Sequence, residues 1–206
     1  MVAEIRRTQA QRRAETSRAL IDATIDTIVE KGYAQVSVKE ICRRAGVSHG
    51  GLFGRFSTLF DLVAAAAAEV GVRQREQFVA KMVELPDRSD VRALLTVWRD
   101  VARDPINAVW RELIVAARTD VALREKLAVV RYDYGAAMLA DGVKNPVLEG
   151  LSQEQAFALG SMVLFCLDGD AINAGPFPEP QFEQLRLDAL TTMVNGYLAA
   201  QREPRP

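Results

Sequence analysis

The side chains best placed to do chemistry lie between residues 37 and 56, where Ser37, Lys39, Arg43, Arg44, Ser48, His49 and Arg55 put hydroxyl, ammonium, imidazole and guanidinium groups within twenty residues. Gly50, Gly51 and Phe53 are interleaved with them. Such a set can donate hydrogen bonds to phosphate oxygens and base edges. His49 is the single histidine, and no Ser-His-Asp set or phosphate-cradling glycine loop can be assembled around it. Cys42 and Cys166 are the two cysteines and stand far apart with no C-x-x-C pair, so neither a disulfide framework nor a metal site is expected, and no cofactor.

These groups need a rigid scaffold, and the apolar pattern supplies one. From Gln9 to Lys31 the positions Leu20, Ile21, Ile25, Ile28 and Val29 recur at three and four, which predicts an amphipathic helix stopped at Gly32. Ser37 can cap a helix with Val38, Ile41, Cys42 and Ala45 inward, and Gly46 ends it. Ser48 can cap a second short helix through Phe56, with Val47, Leu52 and Phe56 buried and Arg55 facing out. Two short helices meeting at a glycine turn, with a small residue where they cross, make a helix-turn-helix whose second helix can lie in the major groove. The exposed N–H groups at the two helix starts would add to phosphate binding.

The pattern stays helical beyond this unit: a long helix from Leu59 to about Val83, then about Ser89 to Arg103, Pro105 to Arg118, Val121 to Ala140, Gln153 to Asn173 and Glu179 to Ala200. The fold class is all-α with about nine helices. Residues 1–57, with a basic arm at 1–14 carrying Arg6, Arg7, Arg12 and Arg13, are expected as a DNA-binding domain, and 58–206 as a larger helical domain. Charge agrees with that division. Residues 1–55 hold ten Lys or Arg against six Asp or Glu, while the whole chain has a net charge of −1, so a basic head sits on an acidic body. The alanine-rich run from Val63 to Ala68 is too short to cross a bilayer, and the Arg-rich N-terminus leads into no apolar signal segment, so no membrane partner and a cytoplasmic location are expected.

The stretch Gly32-Tyr33, Ser37-Val38, Ile41-Cys42, Ala45-Gly46-Val47-Ser48, Leu52-Phe53, Arg55-Phe56 and Leu62 resembles the N-terminal signature of the TetR family of transcriptional regulators. A fainter similarity runs from Val109-Trp110-Arg111-Glu112-Leu113 to Leu123. The resemblance implies a three-helix head that binds double-stranded operator DNA. It also implies a larger domain that binds a small-molecule effector and forms a homodimer, most relatives being repressors released by their effector through the fourth helix. Relatives usually have tyrosine at the position of Phe53 and lysine at that of Leu59, both phosphate contacts, so readout here is expected to fall on Ser48, His49 and Arg55, with Lys39, Arg43, Arg44 and the arm on the backbone. Leu59→Lys is expected to add a phosphate contact and steepen the salt dependence of binding.

Large side chains in the middle of the chain are the candidate effector pocket: Phe78, Met82, Trp98, Trp110, Tyr134, Met138 and Phe165, with Asp168 to orient a ligand. Arg103, Asn107 and Asp133 are further candidates for that orienting role. The wide apolar faces of the last two helices supply the candidate dimer contact at Phe157, Met162, Leu187, Leu190, Met193, Val194 and Tyr197. An enzyme is set aside for want of a catalytic set. A TetR-like scaffold that has lost DNA binding and acts through a protein partner is the competing reading, motivated by Phe53 and Leu59.

Overall fold

The computed structural model describes residues 8–142 and 145–202, and among these it holds nine α-helices, three single 3-10 turns and no strand. In chain order the helices are α1 (Gln9–Lys31), α2 (Val38–Ala45), α3 (His49–Phe53), α4 (Leu59–Val83), α5 (Val91–Ala102), α6 (Ala108–Ala117), α7 (Val121–Gly142), α8 (Gln153–Ala174) and α9 (Pro180–Arg202).

Helix starts follow the capping chemistry of the sequence. Thr8 and Gln11 exchange hydrogen bonds at the start of α1, and Ser152 and Gln155 do the same at α8. Thr58 and Asp61 form the equivalent pair ahead of α4, with Thr58 Oγ1 accepting from Asp61 N–H at 3.1 Å and Asp61 Oδ2 accepting from Thr58 N–H at 2.9 Å. Arg12 and Arg13 are therefore helical residues in the first turns of α1 and not part of an extended arm. Arg6 and Arg7 lie outside the described residues.

Three boundaries differ from the sequence reading. The helix expected through Phe56 stops at Phe53, after which the N–H groups of Arg55 and Phe56 both turn back to the Leu52 carbonyl. The helix expected over Ser89 to Arg103 is the shorter Val91–Ala102, started by Asp90, whose side chain accepts from Ala93 N–H. The one expected from Pro105 is a 3-10 turn at Pro105–Asn107 before α6 takes over.

Packing divides the chain into two units. One comprises the chain up to Val70 together with Ala108–Val130, the other Gly71–Asn107 together with Arg131 onward, so the cut expected after residue 57 is not where the packing falls. The physical reason is α1. Its buried residues Leu20, Ala23, Thr24, Ile25, Thr27 and Ile28 cover more of its surface than two short helices can shield, and α6 packs on it as well as α2 and α3. The buried hydroxyls of Thr24 and Thr27 are satisfied by the carbonyls four residues earlier. Glu112 on α6 reaches the turn after α1, where its carboxylate accepts from the Tyr33 N–H.

In the second unit α5, α8 and α9 pack together around Val91, Leu94, Leu95, Leu167, Leu187, Leu190, Val194 and Leu198. One helix among the described residues, α8, passes a length-and-composition test for a membrane span, which does not by itself indicate a membrane protein. An 18-residue window in it has a mean hydropathy of 1.3, long and apolar enough to cross a bilayer by length and composition, a test that helices packed against protein also meet.

Candidate nucleic-acid interface and effector cavity

The head is built on a cluster of Leu20, Ala23, Ile41, Leu52 and Leu62, with Val36, Val38, Cys42, Ala45, Val47, Phe56 and Leu59 packed against it. Gly46 makes the turn between α2 and α3 in the left-handed region, at φ 64° and ψ 29°, which a side chain would strain. Ser37 Oγ accepts from Glu40 N–H at 3.3 Å and Ser48 Oγ from Gly51 N–H at 3.1 Å, so both serines serve as the helix caps their spacing suggested.

Beyond the caps, the expected contact residues separate. Lys39, Ser48, His49, Gly50 and Phe53 are exposed. His49 and Phe53 sit one helical turn apart with ring centroids 4.8 Å from each other, so the phenylalanine that stands in the usual tyrosine position braces the histidine. Gly51 is a packing residue: a Cβ there would lie 2.7 Å from Val47 Cγ1. Gly50 by contrast has open space where a side chain would go. Arg55 does not face fully outward; its Nε is buried and one guanidinium nitrogen donates to the Gly54 carbonyl at 3.2 Å.

The two α2 arginines are engaged inside the head. Arg44 forks onto Glu30 of α1, with Asp26 at 3.8 Å, and its side chain is only 19% exposed. Its sequence role as a phosphate ligand is replaced by that of a clamp between α1 and α2. Arg43 bonds Glu40 through Nε and Nη2 at 2.9 and 2.7 Å, and Lys31 reaches the same carboxylate at 2.7 Å. Arg43 remains on the surface, so it can exchange that carboxylate for a phosphate. The i,i+3 spacing of Glu40 and Arg43 was visible in the sequence; the pairing of Arg44 with Glu30, fourteen residues apart, was not.

Arg43, then Lys31, hold the Glu40 carboxyl down at about 2 against an ordinary 4.5. A folded-state value below the unfolded one contributes stability that is present above the unfolded value and lost as pH falls toward the folded one. Wild-type protein is therefore expected to lose head stability between about pH 5 and pH 2, and Glu40→Gln to flatten that part of the curve. Urea midpoints across this range check it; identical slopes for the two proteins would contradict the assignment.

Leu59 is half-buried in the head cluster, so its replacement of lysine is a packing choice as well as a lost charge. Leu59→Lys is expected to lower head stability even as it adds a cation near DNA, seen as a reduced urea midpoint together with a steeper salt slope.

In the second unit a cavity of about 520 Å³ opens among α4, α5, α7, α8 and the turn after α7. Six of the expected pocket residues line it: Phe78, Met82, Trp98, Tyr134, Met138 and Phe165. Phe78 and Trp98 pack ring on ring at 4.1 Å. Tyr134 donates to Gln74 Oε1 at 2.5 Å, and burial pushes its phenol above the ordinary range. Trp110 and Asp168 are outside the lining. Trp110 belongs to α6 in the other unit, while Asp168 lies about one helical turn past Phe165, the last α8 residue in the wall, where its charge adds to the upward shift of Tyr134. Arg103 and Asn107, considered from sequence as ligand-orienting groups, are committed elsewhere: Arg103 pairs with Asp170 and Glu183, and the Asn107 amide donates to the Val101 carbonyl. Residue spacing carries no signal for Arg88 and Arg131, which also line the cavity.

The dimer candidates divide by helix phase. Phe157, Met162 and Met193 are exposed, Met162 by 66% and Met193 by 62%, and Tyr197 is half-buried. Leu187, Leu190 and Val194 are instead buried in the protomer, Leu187 to 3% exposure, because they form the stripe of α9 that closes on α5 and α8. They are removed from the candidate interface.

A capped two-helix turn over an apolar cluster, with an exposed face of imidazole, hydroxyl and ammonium groups, defines a DNA-binding helix-turn-helix protein. The family model described as "Bacterial regulatory proteins, tetR family" matches residues 20–66. The HTH-type transcriptional regulator Rv2912c of Mycobacterium tuberculosis is 42% identical over 193 residues, 93% of this chain and 99% of its own. Among solved structures, a transcriptional regulator from Rhodococcus sp. Rha1 superposes with a TM-score of 0.68 at 23% identity, covering 91% of this chain and 99% of that one. The multidrug binding protein EbrR, complexed with imidazole, does so with a TM-score of 0.60 at 24% identity over 92% and 96%. The chain belongs to the tetR family: it is a helix-turn-helix transcriptional regulator and not an enzyme.

Proposed function

We propose that the protein is a cytoplasmic repressor that holds its operator as a homodimer and lets go when a small molecule enters the cavity of the second unit. The observation that carries the ligand response is that cavity, whose volume falls in the roughly 300–1,000 Å³ range of small-molecule sites and whose walls are mainly apolar with few polar groups. EbrR, a relative in fold, was solved with imidazole bound, which is consistent with a ligand site in this architecture. Helix α4 starts beside the head cluster at Leu59 and contributes Phe78, Val79, Met82 and Val83 to the cavity wall, so one continuous helix belongs to both. A shift of that helix would change the spacing of two heads that must reach two half-sites together. The exposed Phe157 and Met162 of α8, with Met193 of α9, support a protomer–protomer face.

DNA contact is assigned to Lys39, Ser48, His49, Phe53 and Arg43, with Ser37, Gly50 and Gly51 shaping the surface. Lys39→Ala is expected to reduce the log–log salt slope of operator binding by roughly one ion per half-site, whereas Arg44→Ala, whose guanidinium is held by Glu30, leaves the slope unchanged. Fluorescence anisotropy with duplexes from the regions flanking the gene tests the whole reading. A specific complex dissolved by a compound that also raises the melting temperature supports it. An intact dimer that shifts no such duplex would favour the scaffold that acts through a protein partner.

A further inference from the structure

The cavity carries an asymmetry of charge that its apolar walls do not require. Among the described residues two arginines line it, Arg88 and Arg131, and both are exposed to solvent. The one acidic residue among the described lining residues is Asp141, and its carboxylate is taken by Arg75, whose Nε and Nη2 donate to its two oxygens at 2.5 and 3.2 Å. Arg131 forms no ion pair with an acidic side chain among the described residues; its guanidinium lies 5.8 Å over the ring of Phe165, another wall residue. A cation on an aromatic face at the edge of an apolar chamber keeps its hydrogen-bond donors available and is held near one position. A cationic ligand would meet the two arginines and find the acid already neutralised, and a neutral ligand would make no use of the Arg131 charge.

We propose that the cavity takes a small amphipathic carboxylate, its apolar body among Phe78, Met82, Trp98 and Met138 and its carboxylate on the guanidinium of Arg131. The inference rests on reading the cavity as the effector site and names the chemical class of that effector. Arg131 supplies a planar fork that matches the two carboxylate oxygens, while Trp98 and Phe78, in contact at a 31° tilt, provide an aromatic wall for the apolar part. Selection between apolar molecules of similar shape is then made by charge at one end of the chamber.

The test compares three molecules of one skeleton, 4-phenylbutyrate, 4-phenylbutanamide and 4-phenylbutylamine, by isothermal titration into the full-length protein. The carboxylate is expected to bind roughly tenfold tighter than the amide, the amine being weakest, and raised salt to narrow the gap. Arg131→Gln is expected to remove the preference while leaving amide affinity within about twofold, because it deletes the charge and keeps the apolar walls. Circular dichroism and the amide affinity together confirm that the variant is folded. An amide or amine that binds as tightly as the carboxylate overturns the inference, as does a carboxylate preference that survives Arg131→Gln. If none of the three binds the wild-type protein, the effector-cavity reading itself falls and the inference with it, an outcome distinct from binding without charge preference.

Discussion

Leu52→Ala is expected to cost the head about 2–5 kcal/mol and to lower operator affinity with it. Leu52 is the one fully buried side chain of α3, a helix of five residues, packed among Leu20, Ile41 and Leu62. So short a helix has no stability of its own and is held by tertiary packing alone. Removing the isobutyl group leaves a void that the facing helices can fill only in part, and α3 loses the anchor that orients His49 and Phe53. Urea unfolding followed by far-UV circular dichroism measures the loss. Leu52→Met, which conserves volume, should cost under about 1.5 kcal/mol. A loss below about 1 kcal/mol for the alanine variant would mean that α3 is supported by something other than this side chain.

The second large effect is expected at Arg103. Its Nε and Nη2 donate to Asp170 at 3.0 and 2.8 Å and its Nη1 to Glu183 at 2.9 Å, so one guanidinium joins the end of α5 to both α8 and α9. With 23% of its side chain exposed, this network stands between a solvated surface pair and a buried one. Arg103→Ala leaves the Asp170 and Glu183 carboxylates without their shared cation, Arg186 remaining at 3.5 Å from Asp170, and is expected to destabilise the protein by about 1–3 kcal/mol. Arg103→Lys recovers part of that, since an ammonium cannot fork onto both acids. Thermal unfolding that is unchanged in Arg103→Ala would contradict the assignment. An effector affinity that tracks the charge at residue 103 would return Arg103 to the ligand site.

Much of the head was legible in the sequence because its logic is local. Ser37, Gly46 and Ser48 each act within three or four residues, through a cap or a left-handed turn, so their roles can be read from spacing. The small apolar set around Ile41 and Leu52 follows from helical periodicity in the same way. What spacing could not show was which cations are spent. Arg44 looks identical to Arg43 on paper, yet one helical step turns it from solvent toward Glu30 and Asp26 on α1. The same limit applies to α9: its apolar residues are all on a wide face, and only the partner helices decide that Leu187, Leu190 and Val194 close the protomer while Met193 stays outside.

An all-helical chain with a capped helix-turn-helix near its start can be read from local order alone, because caps, glycine turns and amphipathic periods are short-range properties of neighbouring residues. Three-dimensional packing is what puts α6 in the head, keeps Trp110 and Asp168 out of the cavity, and sets Arg131 in its wall without an acidic partner among the described residues. Those facts depend on which helices meet and at what rotation. That is settled by the total apolar surface each helix must bury, a quantity that no local window of the chain contains.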